Sequence, residues 1–274
     1  MDDLYCGSLH GILSSASGPS MSRLPIIVAL ALLTLACNTF RDDDELQRAD
    51  TGLDVQPGDT TDISDVFVAT TIYDIQQGNI GMGTMVEVSG VVVTGLSSNG
   101  FWAQDPRSGP YSGIWCFVGQ NWRENLPNVL IGSVVTVSGV VEEFFELTQI
   151  NAVDVGSVQP TGTAAVPEAT LAPLEELRVS SPEAEKWEGV LVSTGEVSVR
   201  SPYDEGTNTF HVGVPGVEVE VRVGHTMYRF PPTLDDQLTA GDTFTTVRGP
   251  LNFVFGEYQI EPRNAADLVG YTDN

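Results

Sequence analysis

The stretch VEVSGVV at residues 86–92 returns, with one change, as VTVSGVV at residues 135–141. Valines alternating with polar residues at period two read as β-strands with one buried face. A glycine in the middle of such a strand weakens it, so its presence marks a bulge, a bend or the close approach of another backbone. In a five-stranded barrel the long first and fourth strands must each leave one part of the sheet and join another. Gly90 and Gly139 are therefore expected at those two bends. The repetition is two strands answering one geometric demand, not two copies of a domain.

The surrounding sequence extends this pattern. From residue 71 onward short alternating runs are separated by turn clusters: TMVEVSGVVVTG (84–95), GFWAQD (100–105), GIWCFVG (113–119), SVVTVSGVVEEFFELTQI (133–150) and NAVDVGSV (151–158). They are expected to be the five strands of one barrel. Read as a single long strand, residues 133–150 place Phe144 and Phe145 on opposite faces, so one of the two lies outside the core. Residues 160–185, rich in Pro, Ala and Thr with a short acidic helix candidate, read as a linker. A second series follows: KWEGVLVSTGEVSVR (186–200), NTFHVGV (208–214), VEVEVRVG (217–224) and GDTFTTVRGPLNFVFGEYQIEPRNAADL (241–268). In it Gly241 and Gly249 frame a strand as Gly132 and Gly139 do. The fold class expected is all-β, two tandem OB-like five-stranded barrels over 71–159 and 186–270.

Residues 71–159 resemble the OB-fold domains that stand beside the catalytic domains of some secreted bacterial nucleases. The likeness is carried by VEVSGVVVTG, by the aromatic hairpin GFWAQDPRSGPYSGIWCFVG with its QDP turn, and by VTVSGVVEEFFELTQINA; the second half resembles the companion barrels in GPLNFVFGEYQIEPRNAADL. What the resemblance implies is an architecture and an accessory role towards nucleic acid. It implies no catalysis, because those nucleases keep their chemistry in a separate domain.

Ahead of the barrels, MSRLPIIVALALLTLAC begins at Met21 with a short basic region and a run of apolar residues to Ala36. The run is too short to span a bilayer as a stable helix. It resembles a bacterial lipoprotein signal with LTLAC as the lipobox, although Thr34 departs from the usual leucine. That resemblance implies cleavage after residue 36, translation from Met21, and a lipid on Cys37 anchoring the chain in the cell envelope. Asn38 after the cysteine favours the outer membrane. Residues 37–70 form an acidic tether, whose segment 41–65 carries nine acids against two arginines.

Charge narrows the partners. The chain holds 37 Asp and Glu against 12 Lys and Arg, a formal net charge of −25. Nucleic-acid affinity arises largely from neutralising phosphates with basic side chains, so a surface of this sign disfavours it. An oligosaccharide or a protein partner fits better. Only Arg222, Arg229, Arg248 and Arg263, with Lys186 and Arg200, could form a basic cluster in the second half.

No catalytic motif is present. His211 and His225 have no partner at metal-ligand spacing, and no cofactor motif or phosphate loop occurs. Asp204 with Glu205 and Asp235 with Asp236 read as surface turns. Cys116, in an apolar alternation, is expected to be an inert buried thiol. The expectation is a non-enzymatic binding or scaffold module, the alternatives being a nucleic-acid-binding accessory protein and a hydrolase with a site assembled between the barrels. OB barrels bind on the face of strands two and three and the loops around it. Trp102 with Gln104 share one face of the second strand, and Trp115 with Phe117 one face of the third. Facing outward they would make a stacking platform for rings; facing inward they would fill the barrel. Tyr111, in the turn between them, and Phe145 complete the candidate set.

Overall fold

The computed structural model describes residues 66–154, 156–204, 206–229 and 238–274. The expected signal segment, Cys37 and most of the acidic tether lie outside these residues, as do Glu205, Asp235 and Asp236. The described residues form one compact unit.

Strand β1 (Val68–Thr70) and the one-turn helix α1 (Ile72–Gln76) lead into the first barrel. Thr71 caps α1, its hydroxyl oxygen accepting from the backbone N–H of Asp74 at 3.2 Å. The barrel consists of β2 (Met85–Leu96), β3 (Gly100–Gln104), β4 (Gly113–Phe117), the short helix α2 (Trp122–Asn125), β5 (Ser133–Phe144) and β6 (Leu147–Asn151). Strand order β2-β3-β4-β6-β5 closes through a β2–β5 pairing, and β4 runs parallel to β6. This is the five-stranded Greek-key closure of an OB fold. Its interior is filled by Val86, Val88, Val93, Phe101, Ala103, Ile114, Val135, Val137 and Ile150, with Trp122 of α2 plugging the end against Phe101. Cys116 is buried in the same core and its thiol is pushed up by that burial, as an inert packing residue requires.

One expected strand division differs. Residues 133–150 are not one strand but the hairpin β5–β6, turned by Phe145 and Glu146, both at positive φ (50° and 64°). Phe144 and Phe145 are consequently both exposed. They stand at and beyond the end of β5, where alternation no longer decides which face a side chain takes. The fifth barrel strand is β6, and the stretch expected to supply it contributes instead to an added strand, β7 (Ser157–Thr163), which pairs with β5 and reaches past residue 159.

The connecting segment is structured. Strand β8 (Thr170–Leu171) pairs with β9 (Leu191–Ser193), and two single 3₁₀ turns occupy Leu174–Glu176 and Glu185–Trp187. Then come β10 (Val197–Asp204), β11 (Thr209–Gly213), β12 (Glu220–Val223), β13 (Thr243–Phe244), β14 (Thr246–Val254), β15 (Glu257–Ile260) and β16 (Leu268–Val269). The order β13-β10-β11-β12-β15-β14-β9, with β12 parallel to β15, repeats the first barrel's topology as a curled half-barrel. The protein is thus all-β, built of two OB-like units.

The two glycines of the repeated heptad act differently. Gly90 has φ +74° and sits where the β2–β5 register slips between Ser89 and Val91, so it is a bulge. Gly139 has no unusual φ, but a Cβ there would drive into the carbonyl of Asn151 on β6. At that point β5 passes from pairing with β2 to pairing with β6. The true counterpart of Gly139 is Gly249, where β14 passes from β9 to β15 and a Cβ would meet the carbonyl of Glu261.

Candidate functional site: a cleft between the barrels

Alternation along β3 and β4 sends Phe101, Ala103, Ile114 and Cys116 into the first barrel and Trp102, Gln104, Trp115 and Phe117 outward. The outer face is nevertheless largely dry. Trp102 (2% exposed) and Trp115 (6% exposed) form a cross-strand pair, with ring centroids 4.4 Å apart, that packs into the core of the second barrel beside Leu147, Trp187, Phe253 and Tyr258. Gln104 is fully buried as well. Its Oε1 accepts from the backbone N–H of Leu191 at 2.7 Å, and its Nε2 donates to Ser108 Oγ at 3.2 Å. It pins one barrel to the other. Tyr111 is half-buried at φ +64°, and its backbone N–H donates to the carbonyl of Lys186 at 2.6 Å. It lies away from the cleft.

Further pins complete the seam. Gly113 and Gly189 bring their backbones together so closely that neither could carry a Cβ. Gln76 Nε2 donates to the carbonyl of Gly113 at 2.7 Å within the first barrel and reaches across the seam to the carbonyl of Glu188 at 3.5 Å. Glu188, 1% exposed, accepts from the backbone N–H of Thr148 at 2.8 Å through Oε1, while its Oε2 has no partner. Burial, and then the neighbouring carboxylate of Glu185, push Glu188 well above the ordinary carboxylate range.

The rest of that outer face opens into a cleft of about 1000 Å³. Trp102, Trp115 and Phe117 form its floor, Phe144 and Phe145 one wall, and Phe253 with Phe255 the other. Phe145 (82% exposed) and Phe255 (96% exposed) are equivalent residues, each at the first position of the two-residue turn of its barrel's last hairpin, β5–β6 or β14–β15. Phe255 has φ +54° and is followed by Gly256 at +77°. A turn with two consecutive positive-φ residues matches the twist of a hairpin but favours Asn and Gly, and an aromatic there is strained. Both barrels thus place a phenylalanine at a strained turn position where it lines the one cleft.

Between the aromatics lie amides aimed by carboxylates. Glu142 Oε2 accepts from Gln149 Nε2 at 3.2 Å and from Asn151 Nδ2 at 3.0 Å. In the second barrel Glu261 Oε1 accepts from Asn252 Nδ2 at 3.2 Å and from Gln259 Nε2. The trio is the same in composition, with acid and asparagine exchanged: the acid moves from the fourth barrel strand to the end of the fifth and the asparagine from the fifth to the fourth. Burial pushes Glu261 up, partly opposed by donors from Thr226, Gln259 and Asn252. Among the described residues, the charged ones lining the cleft are Glu142 and Glu146, with no Lys or Arg.

Of the residues singled out in the sequence, Trp102, Trp115, Phe117 and Phe145 are brought together here, and Gln104 and Tyr111 are not. Phe255, Asn252, Gln149 and the acid–amide trios were missed. The available signal was FFE and VFG, each between alternating runs, which is hairpin-turn spacing. Among the described residues no three His, Cys, Asp or Glu side chains gather as a metal site, and no helix is long and apolar enough to cross a membrane.

No protein-family model and no curated protein sequence matches the chain. Similar solved structures include the hypothetical protein ygiW from E. coli, at 18% identity over 34% of this chain and 90% of that one, with a TM-score of 0.26. The Ifi202 HINa domain in complex with 20-base-pair double-stranded DNA is 12% identical over 66% of this chain and 92% of its own, with a TM-score of 0.32. A murine DNA-binding protein bound with double-stranded DNA is 12% identical over 62% and 91%, at 0.31. At such scores the class rests on strand order and pairing, which define a two-barrel OB-like protein.

Proposed function

We propose that the chain is a non-catalytic binding protein that seats a saccharide in the cleft between its two barrels. The carrying observation is the cleft lining: rings from both barrels face side-chain amides whose orientation is held by carboxylates. Aromatic faces stack on the apolar faces of pyranose rings, and fixed amides and acids match hydroxyls, which both donate and accept. Phosphates in the aromatic cleft itself would face two acids and, among the described residues, no base, which disfavours a nucleic acid there. A cleft of this size and concavity suits a few linked rings better than a protein surface.

The same proposal places the protein at the bacterial cell envelope, anchored by a lipid on Cys37, on the side of the outer membrane. Support comes from LTLAC at 33–37 and Asn38, with the acidic segment 41–65 separating anchor from barrels.

Calorimetric titration of oligosaccharides, neutral and singly acidic, tests the reading. Saturable binding weakened about tenfold by Phe145→Ala and by Phe255→Ala, the loss expected for removing one stacked ring, supports it. Retention of single-stranded DNA in a gel at ~0.15 M salt, with no saccharide bound, would overturn it in favour of a nucleic-acid accessory role.

A further inference from the structure

Acids outnumber bases threefold in this chain, so an arginine without an acid partner needs a reason. Arg248 and Arg263 both reach Asp267, Lys186 reaches Glu176 and Glu183, and Arg200 donates to the carbonyls of Val214 and Val217. Arg222 and Arg229, like Arg123 and Arg178 elsewhere in the molecule, pair with no carboxylate among the described residues. Arg222 and Arg229 face one pocket of about 750 Å³ together with Asn208, His225 and Gln259. The pocket joins the aromatic cleft at Thr226, Val254 and Phe255, which line both.

The position of Arg222 is dictated by the sheet. It lies on β12, opposite His211 of β11 and Gln259 of β15. Its Nε is buried and makes no hydrogen bond. A buried guanidinium N–H left without an acceptor is costly, and a planar fork of donors is matched by a carboxylate. His225 is held below its usual range by burial and by Arg229, so near neutral pH its ring is an uncharged hydrogen-bonding group beside the two cations.

We propose that this pocket is an anion subsite, and that the ligand is a saccharide carrying a single carboxylate seated between Arg222 and Arg229 while its neutral rings occupy the aromatic cleft. The proposal rests on the saccharide reading of the cleft. A single charge follows from the surroundings: Glu142 and Glu146 in the cleft and the acid excess of the chain repel a polyanion.

The test uses pairs in which one member carries a single carboxylate and the other is neutral: the N-acetylglucosamine–N-acetylmuramic acid disaccharide against N,N′-diacetylchitobiose, sialyllactose against lactose, and glucuronosyl xylotriose against xylotetraose. In parallel, acetate is titrated while the Arg222 Nε–H resonance is followed. The expected result is saturable movement of that resonance with acetate, and tighter binding of at least one acidic member than of its neutral partner. That preference should fall ten- to a hundredfold in Arg222→Gln, the loss expected for a charge-assisted hydrogen bond. Arg229→Gln, an exposed change that leaves the fold intact, should show the same loss. Neutral and acidic members bound equally, with both arginine variants silent, would overturn the anion subsite and leave the saccharide cleft standing. Acidic preference lost in the arginine variants but untouched by Phe145→Ala and Phe255→Ala would keep the anion pocket and defeat the cleft reading. An Arg222 resonance unmoved by acetate, with no acidic saccharide bound, would overturn the proposal.

Discussion

At the scale of single residues, Gly90 and Gly139 look interchangeable in sequence and are constrained by different physics. Gly90 needs its positive φ, but a Cβ there meets open space; Gly90→Ala should cost about 1–2 kcal/mol, the penalty for a left-handed alanine. Gly139 needs emptiness, because the Asn151 backbone occupies the place of a side chain. Gly139→Ala should therefore cost more than Gly90→Ala, roughly 3 kcal/mol or more, or leave no folded protein. Urea denaturation of the two variants ranks them. Glu188 offers a second residue-level test. A carboxyl whose folded pKa lies above its unfolded value near 4.5 gives stability that is full below that value and is lost as pH rises through the folded one. Glu188→Gln keeps the acceptor for Thr148 and removes the titrating group. It should flatten the decline in stability as pH rises above 4.5. Equal pH dependence in variant and parent would show that another group is responsible.

At the scale of elements, the two last hairpins carry the cleft. Their turns require two left-handed residues, and the chain spends one position of each on phenylalanine, with Glu146 adding a second strained side chain in the first barrel. Replacing Phe145-Glu146 by Asn-Gly should stabilise the protein by about 1–2 kcal/mol, since both residues then suit their dihedrals. Ligand binding should fall in the same variant. Thermal melts and calorimetry on one sample separate the effects, and a variant both less stable and fully binding would show that the turn was optimised for folding. The acid–amide trios belong to this scale too. Glu142 and Glu261 stand at non-equivalent positions, the acid and the asparagine having exchanged places (Glu142 with Asn252, Asn151 with Glu261) around an equivalent glutamine, Gln149 or Gln259, so an arrangement around one kept residue links the barrels.

For the whole molecule, the outer face of β3–β4 is both interface and cleft floor. Trp102 and Trp115 bury on the order of 150–250 Å² each, several kcal/mol apiece at about 25 cal/mol per Å². With Gln104, Glu188 and the Gly113–Gly189 contact as fasteners, the barrels should unfold together. A single urea transition, coincident by tryptophan fluorescence and far-ultraviolet circular dichroism, is the expected outcome. Two separated transitions would show that the seam contributes little. At the level of the cell, Cys37→Ser should move the protein from the membrane fraction to the soluble one. Persistence in the membrane would remove lipidation as the anchor.

Period-two alternation, mid-strand glycines and turn spacing were enough to assign the all-β class and the two OB-like units, because these are local consequences of strand geometry that any long-range packing must respect. Alternation also placed Trp102, Gln104, Trp115 and Phe117 on one face of the first barrel. What covers that face depended on residues 170–190 and on the second barrel, distant in sequence, so the dry seam and the open remainder were legible only in the tertiary structure. The turn at Phe145 escaped for a related reason. An aromatic pair continues a strand pattern by itself, and only the partner strand β6, folding back on β5, makes it a turn.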